Sequence, residues 1–258
     1  PENGFMISIT LKLQSIIKKD IKGNNSSPIS KGKIAYFLLY LSIDLKKMNM
    51  ISDRIHYVGA NDTEKTLFEG LWPLPYGVSY NSYIIKDEKI ALVDTVESGN
   101  EEEYLGKIHE VIGDRHIDYL VINHMEPDHS SLISFIRKHY PGLVIITNQK
   151  AVPMSKGYQD GYDGEIIVIK EGDEVSLGNT TLKFFMAPMV HWPEVMVTYE
   201  QTEKILFSAD GFGKFGALDA EEAWTCEARR YYFNIVGKYG MQVQALLKKA
   251  ATLDIAMI

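Results

Sequence analysis

Short apolar runs bounded by turn residues recur along the chain from Asp53 onward. Most of them are rich in Val, Ile, Phe and Tyr, which favour extended backbone and pack well on a pleated surface. They predict strands over residues 55–58, 82–85, 90–93, 119–122, 143–146, 165–169, 182–186, 195–199 and 205–208, and the closing run 253–258 has the same character. The chain is therefore expected to be rich in strands.

Longer stretches have helical periodicity instead. Residues 100–112 place Leu105, Ile108 and Ile112 on one face, and residues 240–251 do the same with Val243 and Leu246. A further helix is predicted over residues 221–237. Strands that alternate with helices favour a layered α/β fold, here two mixed sheets sandwiched between helical layers in an αββα arrangement.

The first 47 residues differ in composition from the rest. They are rich in Lys, Ile, Asn and Ser, and residues 22–28 resemble a linker. The apolar run 34–41 is far shorter than the ~20 residues that cross a bilayer, and no small-residue cleavage site follows it. We interpret residues 1–47 as an N-terminal extension outside the core, upstream of the native sequence, and residues 48–258 as the main domain.

Composition narrows the class of partner. The chain has 258 residues, 45% of them hydrophobic, which is enough for one large core, and its formal charge is -7. This charge disfavours a nucleic-acid partner bound through phosphate neutralisation and favours a small molecule or a protein. The single cysteine, Cys226, excludes an internal disulfide and a four-cysteine cluster, and fits the reducing cytoplasm.

The most informative segment is the loop over residues 124–129, directly after the strand 119–122. Its sequence is His-Met-Glu-Pro-Asp-His. Alternation along extended backbone would direct His124, Glu126 and Asp128 to one side, with His129 at the start of a helix that Ser130 caps. Burying this much polarity without a metal ion is costly, so the four residues together predict a metal site.

Two more potential ligands follow other strands. His191 and Asp210 each lie just beyond an apolar run, where they can reach the same edge as the 124–129 loop. Six nitrogen and oxygen ligands are more than one tetrahedral ion can bind. They suit two metals, with Asp210 as a bridge. Such a set is typical of iron, manganese or zinc used for chemistry. Asp94, at the end of another strand, is expected to hold the loops by hydrogen bonds and not to bind metal.

This pattern resembles the flavodiiron proteins, also called A-type flavoproteins, which have the metallo-β-lactamase fold. The resemblance covers residues 51–258 and includes the segments 77–83, 92–95, 210–213 and 227–232. Hydrolases of that fold carry His in place of Glu126. A carboxylate there adds negative charge that favours ferric iron over a plain zinc site. Within 227–232, Tyr231 either supports the site or packs its helix on the sheet.

The resemblance implies a diiron centre that reduces O2 to water or NO to N2O. One iron would bind His124, Glu126 and His191, the other would bind Asp128 and His129, and Asp210 would bridge them. Electrons would come from FMN in the other subunit of a head-to-tail homodimer, with Trp192 able to face that flavin. The FMN would in turn be reduced by a rubredoxin-like protein or a flavin reductase.

Two family features are missing from the sequence. Relatives place another histidine ligand shortly after a strand like 253–258, and then continue into a flavodoxin-like domain that binds FMN. We interpret the chain as truncated before both. A dinuclear metallohydrolase of the same fold is the main alternative, although it leaves Glu126 unexplained. A metal-free binding module would require a degenerate ligand set, and all six residues are present.

Overall fold

The computed structural model of the chain describes residues 50–158 and 164–258. The predicted extension over residues 1–47 lies outside them. The strands of the described part are β1 (Ile55–Tyr57), β2 (Ala60–Asp62), β3 (Leu67–Phe68), β4 (Trp72–Pro73), β5 (Val78–Tyr80), β6 (Tyr83–Lys86), β7 (Ile90–Val93), β8 (Tyr119–Val121), β9 (Val144–Asn148), β10 (Ile166–Ile169), β11 (Glu174–Ser176), β12 (Thr181–Met186), β13 (Met196–Glu200) and β14 (Ile205–Phe207).

Helices connect and follow these strands. They are α1 (Glu101–Ile112), α2 (Pro127–Ser130), α3 (Ile133–His139), α4 (Ala151–Tyr158), α5 (Trp224–Tyr231) and α6 (Gly240–Ala250). Helix α5 continues as a π-helical turn, Tyr232–Val236, and a 3₁₀ turn, Gly237–Tyr239. No helix in the described ranges is both long and apolar enough to cross a bilayer.

Two large sheets form the framework. The first has the strand order β1-β6-β7-β8-β9-β10, antiparallel from β1 to β7 and parallel from β7 to β10. The second is antiparallel, in the order β11-β12-β13-β14. The hairpin pairs β2-β5 and β3-β4 form two small additional sheets.

The core has two layers, because successive residues of a strand face opposite sides of its sheet. Ala91 and Val93 of β7 pack against Phe184 and Phe207 of the second sheet, within the cluster between the sheets. Ile90 and Leu92 belong to the other cluster, with Tyr104 and Ile108 of α1 and with Val243 and Leu246 of α6. Helices therefore cover the outer faces, and the predicted αββα sandwich is confirmed.

The predicted strands from residue 55 to residue 208 are all present, with boundaries within about two residues. The sequence analysis missed the short strands β2 to β5 and β11, which are too brief to show an apolar alternation. It also missed α4, whose interior Pro153 and Gly157 disguise a helix.

Three local predictions were wrong. The helix after the metal loop begins at Pro127, with Glu126 as its N-cap, and Ser130 lies at its end, where its hydroxyl donates to the carbonyls of Met125 and Glu126. Proline explains the earlier start, because its fixed φ suits the first helical position. The helix predicted over 221–237 begins at Trp224 and changes type after Tyr231. The run 253–258 forms only an isolated parallel bridge between Met257 and Ile205.

Candidate metal centre

Four of the six predicted ligands converge at one buried point. One nitrogen or oxygen atom from each of His124, Glu126, His191 and Asp210 lies within 4.8 Å of the others. All four residues are at least nine-tenths buried, and His124 is completely so. His191 and Asp210 are more than 60 residues from His124 and Glu126 in the sequence, so the fold brings the cluster together.

Each of them follows a strand of the framework. His124 and Glu126 lie in the loop after β8 of the first sheet, whereas His191 lies between β12 and β13 of the second. Asp210 lies in the 3₁₀ turn Ala209–Phe212 after β14. Because the strands are held rigidly by their sheets, the loops that follow them hold their side chains in fixed positions.

Asp128 and His129 join the same cluster from helix α2. His129 Nε2 lies 3.2 Å from Asp210 Oδ1 and 3.8 Å from Asp128 Oδ2. The structure thus brings together all six residues that the sequence singled out. Asp128 reaches the cluster from a helical turn and not, as expected, from extended backbone.

The donor set fits a metal ion. Asp210 Oδ2 lies 3.2 Å from His124 Nε2 and 3.3 Å from His191 Nε2, yet it has no hydrogen-bond partner within the described part of the chain. Asp128 Oδ1 is also buried and also has no hydrogen-bond partner among the described residues. Buried carboxylate oxygens without donors are costly, and a cation would satisfy them. With three imidazoles and three carboxylates, the site fits iron, manganese or zinc.

The charged side chains of the cluster shift one another's pKa values. Burial lowers the pKa of the His191 imidazole, but the nearby carboxylates of Asp210 and Glu126 outweigh it and raise that pKa to about 9. Burial raises the pKa of Asp128 to about 7, in spite of the opposing charge on His129. For Asp210, burial is outweighed by the imidazolium of His129, and its pKa falls well below the ordinary value. Protons and a metal cation would therefore compete for the same nitrogen and oxygen atoms.

Two further carboxylates contact the ring nitrogens of His124 and His129 that face away from the cluster. Glu194 Oε1 lies 2.7 Å from Nδ1 of His124, and Asp94 Oδ2 lies 3.3 Å from Nδ1 of His129. Asp94 also accepts the backbone N–H of Asn123 at 2.7 Å, so its predicted role in organising the loops is confirmed. Glu194 was not predicted from the sequence, although its place three residues after His191 was a usable signal.

The charges of the cluster also affect two neighbouring side chains, Tyr231 and Glu69. Tyr231 is buried beside it, and burial, followed by the charge of Asp210, raises the pKa of its phenol well above the ordinary value. Glu69, at the tip of the β3-β4 hairpin, was not predicted. Burial and then the neighbouring Glu126 carboxylate raise the pKa of Glu69, whose backbone has a φ of 48°.

A cavity of about 260 Å³ reaches the cluster. Its wall includes Asp128, His129 and Asp210 together with Tyr83 and Tyr231. Small molecules can approach the carboxylates and His129 through this space. Trp192 lies on another side, with its ring centroid 5.2 Å from that of His124 in an edge-to-face arrangement. Its contact with a flavin remains a prediction.

Comparison with known proteins places this chain in a family. Residues 78–258 match the family model described as ODP family beta lactamase. A nitric oxide reductase of Moorella thermoacetica is 34% identical over 215 residues, which are 80% of this chain and 54% of that protein. A rubredoxin-oxygen oxidoreductase of Megalodesulfovibrio gigas is 38% identical over 202 residues, 74% of this chain and 50% of that protein.

The fold gives the same result. The crystal structure of the flavodiiron protein from Giardia intestinalis matches with a TM-score of 0.74 and 29% identity, covering 80% of this chain and 52% of that one. The chain spans about half the length of the curated relatives it matches. It therefore belongs to the ODP family of beta lactamases and has the metallo-β-lactamase-like core of the flavodiiron proteins.

Proposed function

We propose that this chain is the catalytic core of a flavodiiron reductase, which reduces O2 to water or NO to N2O at a diiron centre. The names of the relatives support the reaction class, since they include a nitric oxide reductase and a rubredoxin-oxygen oxidoreductase. The cluster offers three imidazoles and three carboxylates to such a centre.

The position of Asp210 is the observation that carries the proposal. Its Oδ1 atom faces Nε2 of His129 at 3.2 Å, whereas its Oδ2 atom faces Nε2 of His124 and His191 at 3.2 and 3.3 Å. One carboxylate thus divides the histidines into two groups. A first iron would bind His124, Glu126 and His191, and a second would bind Asp128 and His129, with Asp210 between them.

Glu126 favours redox chemistry over hydrolysis. Its Oε2 atom lies 3.0 Å from His191 Nε2 and 3.3 Å from His124 Nε2, in the group assigned to the first iron. A carboxylate ligand at this place lowers the net charge of the site by one relative to a histidine and so stabilises the ferric state. Zinc does not change its oxidation state, so a carboxylate in place of histidine has no such effect in a zinc hydrolase.

The reaction needs electrons, protons and a protected space. Two NO molecules take up two electrons and two protons to give N2O and water, and a bound pair of ferrous ions would supply both electrons. The chain's own residues would bind and bury the metals, and the cavity beside His129 and Asp210 has room for a diatomic molecule. Burial of the cluster would keep bulk water from competing with that molecule.

Electron delivery follows the family pattern in this proposal. FMN would pass electrons to the irons from the partner subunit of a head-to-tail homodimer. A rubredoxin-like protein or a flavin reductase would reduce the FMN, in the cytoplasm. Trp192, which packs edge-to-face on His124, is the residue we assign to the flavin-facing side.

An anaerobic single-turnover experiment tests the reaction. Protein reconstituted with Fe²⁺ is mixed with NO, and N2O is measured. We expect about one N2O per pair of ferrous ions, from the electron count of a two-metal site. Absence of N2O and of O2 uptake by the reduced protein, together with hydrolysis of a phosphodiester or ester by the zinc form, would reject the proposal in favour of a dinuclear hydrolase.

A further inference from the structure

His124 is fixed from the side that faces away from the cluster. Its Nδ1 atom lies 2.7 Å from Glu194 Oε1, and both side chains have no solvent exposure. This distance is short for a hydrogen bond that involves a ring nitrogen, as expected when the acceptor carries a charge. The pair is therefore a strong buried contact immediately behind one proposed ligand.

The contact determines which nitrogen of His124 is free to bind metal. Nε2 faces the cluster, at 3.2 Å from Asp210 Oδ2 and 3.3 Å from Glu126 Oε2. A neutral imidazole has one N–H group and one lone pair. If Nδ1–H donates to Glu194, the lone pair must be on Nε2, where the metal would bind.

Glu194 is itself held on several sides. The same Oε1 atom accepts the backbone N–H of Met125 at 3.0 Å, and the backbone carbonyl of Glu194 accepts from Asn148 Nδ2 at 2.5 Å. Glu194 also lies three residues after His191. It therefore connects the loop that carries His191 to the loop that carries His124 and Glu126.

We infer that Glu194 is a positioning residue of the metal centre, which fixes the tautomer of His124 and adds a negative charge behind the first metal. Partners of this kind orient a ligand and make it more basic. The effect on metal binding follows from the cluster alone, whereas the effect on redox behaviour rests on the proposed diiron function. Loss of the charge should weaken metal binding and raise the reduction potential.

The test compares two substitutions in the full chain. Glu194→Gln keeps an oxygen that can accept from His124 and Met125 but removes the charge. Glu194→Asp keeps the charge and shortens its reach. The matched control is Glu200→Gln, since Glu200 is equally buried but accepts hydrogen bonds from the backbone of Thr202 and Glu203 in the turn after β13.

Metal affinity is measured with Co²⁺ against a competing chelator, and the potential by anaerobic redox titration of the iron-loaded protein. We expect Glu194→Gln to bind Co²⁺ roughly 10- to 100-fold more weakly and to have a higher potential, with Glu194→Asp intermediate and Glu200→Gln unchanged. If Glu194→Gln has the affinity and potential of the unmodified chain, or if Glu200→Gln matches its effect, the inference is wrong.

The cobalt measurement also separates this inference from the proposed function. Weaker Co²⁺ binding in Glu194→Gln, in a protein that reduces neither NO nor O2, would support the role of Glu194 and reject the reductase. Normal reduction of NO with unchanged affinity and potential in Glu194→Gln would support the reductase and reject the role of Glu194.

Discussion

Asp210 Oδ2 lies 3.2 Å from His124 Nε2 without forming a hydrogen bond to it among the described residues, although both side chains are buried. The two residues are positioned by different sheets, since His124 follows β8 of the first sheet and Asp210 follows β14 of the second. A cation placed between these two groups would bind both of them. The loops of both sheets must therefore be in place before a metal can bind.

Replacement of Asp210 by alanine should remove the bridge between the two proposed metals. Its two oxygens are the only part of the cluster, within the described residues, for which contacts below 3.5 Å reach all three histidines. We expect the iron content to fall from about two per chain to about one, because the second position would retain too few ligands. Elemental analysis after anaerobic reconstitution measures this. Asp114→Ala, at an exposed turn after α1, is the control and should keep the full content.

Replacement of Glu126 by histidine should change the choice of metal. The variant has the His-x-His-x-Asp-His pattern of the hydrolases, and it loses one negative charge beside His191. We expect the ratio of zinc to iron to rise when both metals are offered, and the reduction potential of any iron that binds to increase. An unchanged ratio would show that Glu126 does not discriminate between the metals, and Glu126→Asp should keep the original preference.

Metal binding should strengthen as pH rises from about 6.5 to about 9. In the metal-free protein the pKa of His191 is raised to about 9 and that of Asp128 to about 7, so both must lose protons before they bind a cation. Chelator competition with Co²⁺ at a series of pH values measures the trend. An affinity that is independent of pH over this range would contradict the predicted protonation of the site.

The stability of the metal-free protein should change in the opposite direction. A group whose pKa is raised on folding stabilises the fold below its unfolded value and loses that contribution as pH rises through the folded value. His191 therefore contributes fully below pH 6.5, and its contribution disappears by about pH 9. Urea unfolding of the metal-free chain should give a lower free energy at pH 9 than at pH 6.5, and the metal-loaded chain should lack this loss.

Gly213 provides room for Tyr231 behind the cluster. A Cβ atom at Gly213 would lie 2.6 Å from the Tyr231 ring, so Gly213→Ala should destabilise the protein by about 1–3 kcal/mol through overpacking. Gly106, within α1, has nothing within 4 Å of its Cβ position, and Gly106→Ala should stabilise by roughly 0.5–1 kcal/mol. Urea unfolding measures both. Equal effects at the two positions would contradict the packing described here.

The sequence predicted the framework, and it singled out six side chains that the fold brings together, because both inferences depend on local patterns. The strand 90–93 is apolar throughout, and the ligands of the 124–129 loop lie close together in the sequence. Contacts between distant segments were harder to predict. Glu194 and His124 are 70 residues apart, and Glu194 looks like an ordinary acidic loop residue until the fold buries it.

The position of Glu69 near Glu126 was equally hard to predict from the sequence. It occupies the first central position of a tight turn with a φ of 48°, where Asn, Asp or Gly is usual. Only the fold of the β3-β4 hairpin brings it near Glu126. The start of α2 shows the opposite case, since Pro127 is a local signal for the helix start that outweighs the capping preference of Ser130.

In the proposed site, Asp210 joins two irons. Mössbauer spectroscopy of the chain, reconstituted with ⁵⁷Fe and oxidised, detects such a pair. We expect about two irons per chain in a magnetically coupled, diamagnetic diferric pair, as two metals that share a bridge should form. The Asp210→Ala variant should lose the coupled signal. A single uncoupled high-spin ferric ion in the unmodified chain, or the same coupled spectrum in Asp210→Ala, would contradict the claim.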